Sequence, residues 1–477
     1  MDFPVWTLIP FVLMLLAIAI FPLVPAISHH WDRPRNQLLY ALALGVPVGI
    51  GLLVTAHPEL VAHALIEYVQ FIVLLLALFT VSGGIVLRGD LAATPRTNTA
   101  FLAVGGVLAS FIGTTGAAML LIRPILATNS ERRYRAHTVV FTIFIVANCG
   151  GLLTPLGDPP LFLGMLRGVP FTWTFSLIPE WFFVNALLLL SYWALDRRFH
   201  AREKPEALAM DMDNRRPLRL AGAANLIWFA VIILAVAKVP SLDIDAVAHG
   251  HIEGLNWVPW RELVMLTAAT CSFLIGSKKI RFEENQFSWG PIQEVGALFI
   301  GIFLTMVPAL QVLRVAAPNL PLNEITLFLF TGGLSAVLDN APTYVTFFEM
   351  ATQLPGDPRV ADVPEMLLVS ISLGAVLCGA MTYIGNGPNF MVKSVAEDGG
   401  VKMPTFLGYI RSALIYLAPV LLAMLLLFIA DPLWAKALGG AVVILILVRV
   451  VRHATAPPPQ VLGRSARAAE PEAPPQI

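Results

Sequence analysis

Two aspartates, Asp158 in TPLGDPP (154–160) and Asp339 in SAVLDNAPT (335–343), lie inside otherwise apolar stretches. A carboxylate at membrane depth costs roughly 3 kcal/mol on insertion scales, so it persists with a proton, a cation or a polar partner. Polar residues accompany them, one beside Asp339 and others in separate Gly-rich breaks of the apolar segments. Asn340 follows Asp339, and Asn386 and Thr382 lie in GAMTYIGNGPNFMV (379–392), while Thr114 and Thr115 form the centre of GTTG (113–116). The chemistry such a set can perform is reversible binding of a small cation, with Asp158 and Asp339 as sodium ligands or proton carriers. Arg123, in LLIRPIL (120–126), is the one basic residue close to GTTG or SAVLDNAPT. It reads equally as a snorkelling arginine, an ion-pair partner or an anion ligand.

Hydrophobic residues make up 57% of the 477 and charged residues only 13%, more apolar surface than a soluble core could hide. The chain is therefore read as an all-α polytopic membrane protein. Basic and acidic residues balance at 31 each, which gives no electrostatic footprint for nucleic acid. Cys149, Cys271 and Cys378 stand singly in apolar stretches and read as packing residues. The sequence carries no G-x-S-x-G, H-E-x-x-H or Walker-type loop, so neither enzyme chemistry nor direct use of ATP is expected. No cofactor is expected beyond sodium ions and protons as coupling ions.

The elements that position these residues follow from apolar length and from where Lys and Arg collect. Spans are expected near 5–27, 37–55, 64–87, 138–168, 180–195, 220–238, 262–276, 291–313, 365–396, 408–430 and 433–451. Basic loops at 29–35, 88–96, 131–135, 197–219, 278–281 and after Arg449 should be cytoplasmic, and the loops near Glu59, at 242–257 and at 355–365 should face outward. Arg167, Arg314 and Lys436 are isolated exceptions. Crossings balance only if 99–127 and 324–352 enter the membrane and return, which makes them re-entrant hairpins of opposite orientation. About eleven spans result, with the N-terminus outside and the C-terminus cytoplasmic, as in a bacterial inner-membrane protein.

Opposed hairpins suggest two inverted repeats. The hairpin tips, ASFIGTTGA (109–117) and SAVLDNAPT, register with each other, and so do TPLGDPP and TYIGNGP (382–388). The expected organisation is an N-terminal helix and loop (1–36), a first repeat (37–195) with hairpin 99–127 and broken helix 138–168, and a linker (196–261). A second repeat (262–430) with hairpin 324–352 and broken helix 365–396 follows, then a C-terminal helix (431–453) and a Pro- and Ala-rich disordered tail (454–477). In both broken helices Gly and Pro remove side chains and N–H donors, so the helices must open around Asp158 and Asn386. Backbone that leaves the helix at this depth needs protein or a polar cavity to satisfy it. Freed carbonyls suit a cation and freed N–H groups an anion. A kink alone is ordinarily only a kink, and Asn or Thr in a membrane helix ordinarily bonds a neighbour; the two acids are what favour a binding site. Glu180, Asp196 and Glu349 read as interfacial, and the HGH at 249–251 as solvated.

SAVLDNAPT and TPLGDPP resemble the signatures of the ion transporter superfamily, which includes D-type sodium/proton antiporters, arsenite permeases, citrate carriers and dicarboxylate/sodium symporters. The resemblance covers 37–430. It implies that Ser335, Asp339, Asn340 and Thr343 belong to an ion or substrate site, joined by Thr154, Gly157 and Asp158. Antiporters of the superfamily often carry a second Asp-Asn in the first hairpin, where this chain has Gly113-Thr114. Dicarboxylate symporters carry no aspartate at either tip, which Asp339 does not match. The leading expectation is sodium/proton antiport by alternating access at the two aspartates. The alternative is cation- or proton-coupled symport of a citrate-like carboxylate or other anion. Expected partners are the lipid bilayer, a small ion or small carboxylate, and a second copy of the chain in a homodimer.

Overall fold

The computed structural model describes residues 3–31, 33–242 and 257–455; the HGH pair and the tail from 456 onward lie outside them. The fold is all-α and polytopic. Among the described residues six helices are long and apolar enough to cross a membrane: Pro34–Val54, Pro58–Ser82, Phe171–His200, Gly290–Asn319, Phe406–Ile429 and Leu433–Thr455. The other apolar segments are shorter or interrupted. The stretch expected to span from 5 to 27 is one of these, divided into Val5–Leu8, Ile9–Ile20, Phe21–Leu23 and Pro25–Trp31. Pro22 and Pro25 lack the N–H groups that would continue a single helix.

In chain order the main elements are α1 (Ile9–Ile20), α2 (Pro34–Val54), α3 (Pro58–Ser82), β1 (Val86–Asp90), α4 (Pro95–Ile112), α5 (Thr114–Thr128), α6 (Ala136–Ile145), α7 (Pro159–Leu166) and α8 (Ile178–His200). There follow β2 (Arg216–Ala221), α9 (Asn225–Lys238), α10 (Trp260–Ile275), α11 (Gly290–Ala316), α12 (Glu324–Ser335), α13 (Asn340–Ala351), α14 (Glu365–Cys378), α15 (Gly387–Asp398), α16 (Phe406–Ile429) and α17 (Leu433–Thr455). The helix read over 64–87 stops at Ser82, and the Gly83–Gly84 pair leads into β1. That strand pairs antiparallel with β2, with Val86 opposite Ala221 and Arg88 opposite Arg219. Hydropathy gave no hint of this small sheet, because its strands straddle the ends of the expected spans 64–87 and 220–238 and run on into the charged loops.

Several basic loops meet at one end of the molecule. β1 and β2 join two of them, and Arg88 reaches a third through paired bonds of 2.6 Å to both carboxylate oxygens of Glu284. The 131–135 loop is held at the same end: Arg132 Nη2 donates to Asp196 Oδ1 at 2.6 Å, and the backbone N–H groups of Arg133 and Tyr134 donate to Glu203 at 3.0 and 2.9 Å. Asn98 near the start of α4 and Asn129 just after α5 exchange side-chain bonds of 2.9 Å, so the chain doubles back between them. The segment at 359–364 lies elsewhere, near Gly168 and the turn that precedes α8. Since α8 is about 34 Å long at 1.5 Å per residue, the 131–135 and 359–364 segments sit near its opposite ends.

Asp196 does lie near a helix end, yet it is buried in the protein. It accepts from Arg132, from His137 at 2.8 Å and from Asn98 at 3.1 Å. Removing one partner of a buried pair strands the other charge, at a cost of roughly 3–5 kcal/mol. Asp196→Ala should lower unfolding stability in detergent by that amount. A loss under about 1 kcal/mol, the range of solvated pairs, would show that water reaches Arg132. Two of the basic exceptions are also accounted for. Arg167 bonds Glu67 at 2.8 Å and Glu349 at 3.2 Å, and Arg314 lies 3.6 Å from Glu349, so these cations are compensated where they stand.

Candidate functional site

Four helices begin around one cavity. The N-caps of α5, α7, α13 and α15 are Gly113, Asp158, Asp339 and Asn386. Each follows from local sequence. Gly113 has φ +81°, which only glycine adopts at little cost, and it turns the chain between α4 and α5. Pro159 and Pro160 start α7, and Pro388 starts α15, because proline fits the first turn of a helix and cannot continue the preceding one.

Asp158 and Asn386 cap neither of their own helices. Asp158 Oδ1 accepts from Thr114 Oγ1 at 3.1 Å and from Asn386 Nδ2 at 3.3 Å, while Oδ2 accepts from Asn340 Nδ2 at 2.5 Å. One carboxylate thereby gathers a side chain from each of the three other breaks, and it is 1% exposed. Asp339 is placed differently, as a true cap that accepts from the Ala341 N–H at 3.0 Å. Both acids line a cavity of about 120 Å³, together with Thr114, Thr115 and Asn386 and an apolar wall from α3. Several water molecules fit in that volume, at ~10–15 Å³ each. Among the described residues no Lys, Arg or His lines it. Asn340 Oδ1 is buried beside this centre with no hydrogen-bond partner among the described residues.

Residues 1–429 match the family model described as "Putative citrate transport". The chain belongs to this citrate-transport family. No curated protein matches the sequence. Family and multi-pass helical fold together make the chain a membrane-embedded secondary transporter and point away from an enzyme. They agree with the resemblance to the ion transporter superfamily.

In this member of the citrate-transport family the remaining predicted residues divide into two groups. Thr154, Gly157, Thr382, Ser335 and Thr343 hold backbone. Thr154 Oγ1 donates to the carbonyl of Ser110 and accepts from the Leu156 N–H at 3.2 Å. Thr382 repeats the pattern in the second broken helix, donating to the carbonyl of Ala336 at 2.5 Å and accepting from the Ile384 N–H at 3.2 Å. Ser335 donates to the Ala375 carbonyl at 2.6 Å and Thr343 to that of Asp339 at 2.9 Å. The Gly157 carbonyl accepts from the Thr114 N–H at 2.9 Å, fixing the first tip against the first break. Arg123 stands apart from all of these: it donates to Gln286 Oε1 at 3.1 Å and is not among the cavity-lining residues.

Sequence reasoning missed two asparagines. Asn148 Nδ2 donates to Asn389 Oδ1 at 2.6 Å, and Asn148 Oδ1 accepts from Asn386 Nδ2 at 3.2 Å. Asn389 in turn donates to the carbonyls of Gly379 and Thr382, both at 2.9 Å. The two broken helices are thus cross-braced behind Asp158. The available signal was that both asparagines fall inside the Gly/Pro-rich breaks.

Proposed function

We propose that the protein carries a citrate-like carboxylate together with sodium ions or protons, by alternating access at the cavity shared by Asp158 and Asp339. The observation that carries this reading is the meeting of four helix N-termini with two aspartates and no basic side chain. Each N-terminus is equivalent to about half a positive charge, so four supply about two, comparable to the two carboxylates. With both acids ionised the cavity is close to balanced and holds an anion poorly. Once a proton or a sodium ion neutralises an acid, the helix ends are left in excess and attract a carboxylate substrate. Cation and anion then favour each other's binding, which is what coupled symport requires. The unpartnered Asn340 Oδ1 fits an additional oxygen ligand for the cation.

The matched bonds of Thr154 and Thr382 support two repeats, and the charge distribution of the loops supports their inverted insertion with the C-terminus in the cytoplasm. Alternating access is further supported by the Arg167 pairs with Glu67 and Glu349, which tie α3 to the end of α7 and to α13, whereas the start of α11 lines the cavity. Sodium/proton antiport is the second reading, favoured by the same pair of acids and the lack of a lining base.

Reconstituted vesicles separate the two. Symport predicts sodium or proton uptake that depends on added citrate. Antiport predicts that a sodium gradient alone moves protons, read with a trapped pH dye and no organic acid present. Asp339→Asn should stop coupled uptake while the fold is kept, since asparagine caps a helix as well as aspartate does. Unchanged uptake in that variant would remove Asp339 from the mechanism.

A further inference from the structure

We infer that a basic pocket between α8 and α17 binds the phosphate of an anionic membrane lipid. Arg198 of α8 and Arg449, Arg452 and His453 of α17 line this pocket together with Leu445 and Val448, and its volume is about 520 Å³. The α17 members recur at three- and four-residue steps, so they share one helical face. The charge of the three arginines is uncompensated: among the described residues no ion pair includes them or His453. Asp196, the acid nearest to Arg198 along α8, is already occupied by Arg132 and His137.

Two guanidinium atoms, Arg198 Nε and Arg449 Nη2, are buried without a hydrogen-bond partner. Arg449 is nevertheless held in place, donating to the Ile415 carbonyl with its guanidinium carbon 4.7 Å from the centre of the Tyr416 ring. Converging cations with unused donors need an anion, and a phosphate diester matches the fork of a guanidinium. Leu445 is 68% exposed and Val448 46%, which supplies an aliphatic surface for acyl chains directly beside the charges. The pocket sits at the C-terminal ends of α8 and α17, the end where the basic loops gather, and an anionic leaflet concentrates there. An apolar wall next to a phosphate site favours a lipid over free phosphate.

Delipidated full-length protein in detergent tests this without reference to transport. Phosphatidylglycerol, cardiolipin, phosphatidylcholine and inorganic phosphate are titrated separately, reading the thermal midpoint and the lipid adducts kept in native mass spectrometry. Phosphatidylglycerol and cardiolipin should raise the midpoint and remain bound, and the other two should do neither. The double variant Arg198→Gln/Arg452→Gln leaves Arg449 on Tyr416, and should weaken anionic-lipid binding by about tenfold or more as two charge-assisted contacts are lost. Arg452→Lys, which keeps the charge, should retain most of the binding and serves if the double variant does not fold. Equal stabilisation by phosphatidylcholine, an equal shift with inorganic phosphate alone, or unaltered lipid binding in the double variant would each overturn the assignment.

Discussion

Asp158→Asn should abolish transport and leave the protein folded. The carboxylate accepts from Thr114, Asn340 and Asn386, and the amide that replaces it still has one oxygen to receive Thr114 and Asn386. Its new N–H group would face the donor of Asn340. That conflict is relieved when Asn340 turns its amide over, because Asn340 Oδ1 has no other partner to give up. The bonding pattern survives and the negative charge does not. What is lost is the charged ligand of the coupling ion: at roughly 1.5–3 kcal/mol for each charge-assisted contact, two such contacts to the ion are on the order of a hundredfold or more in its binding. The charge that offsets the four helix ends disappears as well, so the cavity can no longer alternate between balanced and positive. Uptake into proteoliposomes should fall at least about a hundredfold, with a thermal midpoint within a few degrees of the parent. Asp158→Ala, by contrast, orphans the donors of Thr114 and Asn340 while Asn386 keeps Asn148, and should lower the midpoint. Near-normal uptake by the asparagine variant would exclude Asp158 from coupling.

Gly157→Ala should damage both fold and transport. A Cβ on Gly157 would enter the backbone carbonyl of Gly151, a rigid atom of the same break rather than the tip of a flexible side chain. One of the two loops must shift, and overpacking of this kind costs typically 1–3 kcal/mol or more. The displacement propagates directly, because the Gly157 carbonyl holds the Thr114 N–H, and Thr114 Oγ1 holds Asp158. Gly385→Ala should behave alike, since its Cβ would stand 2.6 Å from the Gly379 carbonyl oxygen. Gly51→Ala is the control. Nothing lies within 4 Å of the added carbon, and in the interior of α2 alanine is favoured over glycine by up to ~1 kcal/mol, so stability should hold or rise. Thermal unfolding of the three variants, paired with uptake, checks the ordering. Equal midpoints for Gly157→Ala and Gly51→Ala would mean the break is loose enough to absorb a methyl group.

The sequence by itself determined where the helices break. Opening at Asp158 and at Asn386 was legible because Gly and Pro act on the backbone of their own residues, whatever the surroundings; the same locality exposes the turn at Gly113. The membrane class was legible from composition, because burial of that much apolar surface has no soluble solution. Only the tertiary structure decided which groups meet. The two acids read as one site do share a cavity, yet Asp158 is bonded by Asn340 while Asp339 caps its own helix. Arg123, close to a tip in sequence, is directed to Gln286, whereas Asn148 and Asn389 brace the breaks and Arg198 joins Arg449, Arg452 and His453 in a basic pocket. These partners lie far apart along the chain or on separate helices. Which side chain reaches which depends on the rotation and offset of packed helices, and an apolar run leaves both unspecified.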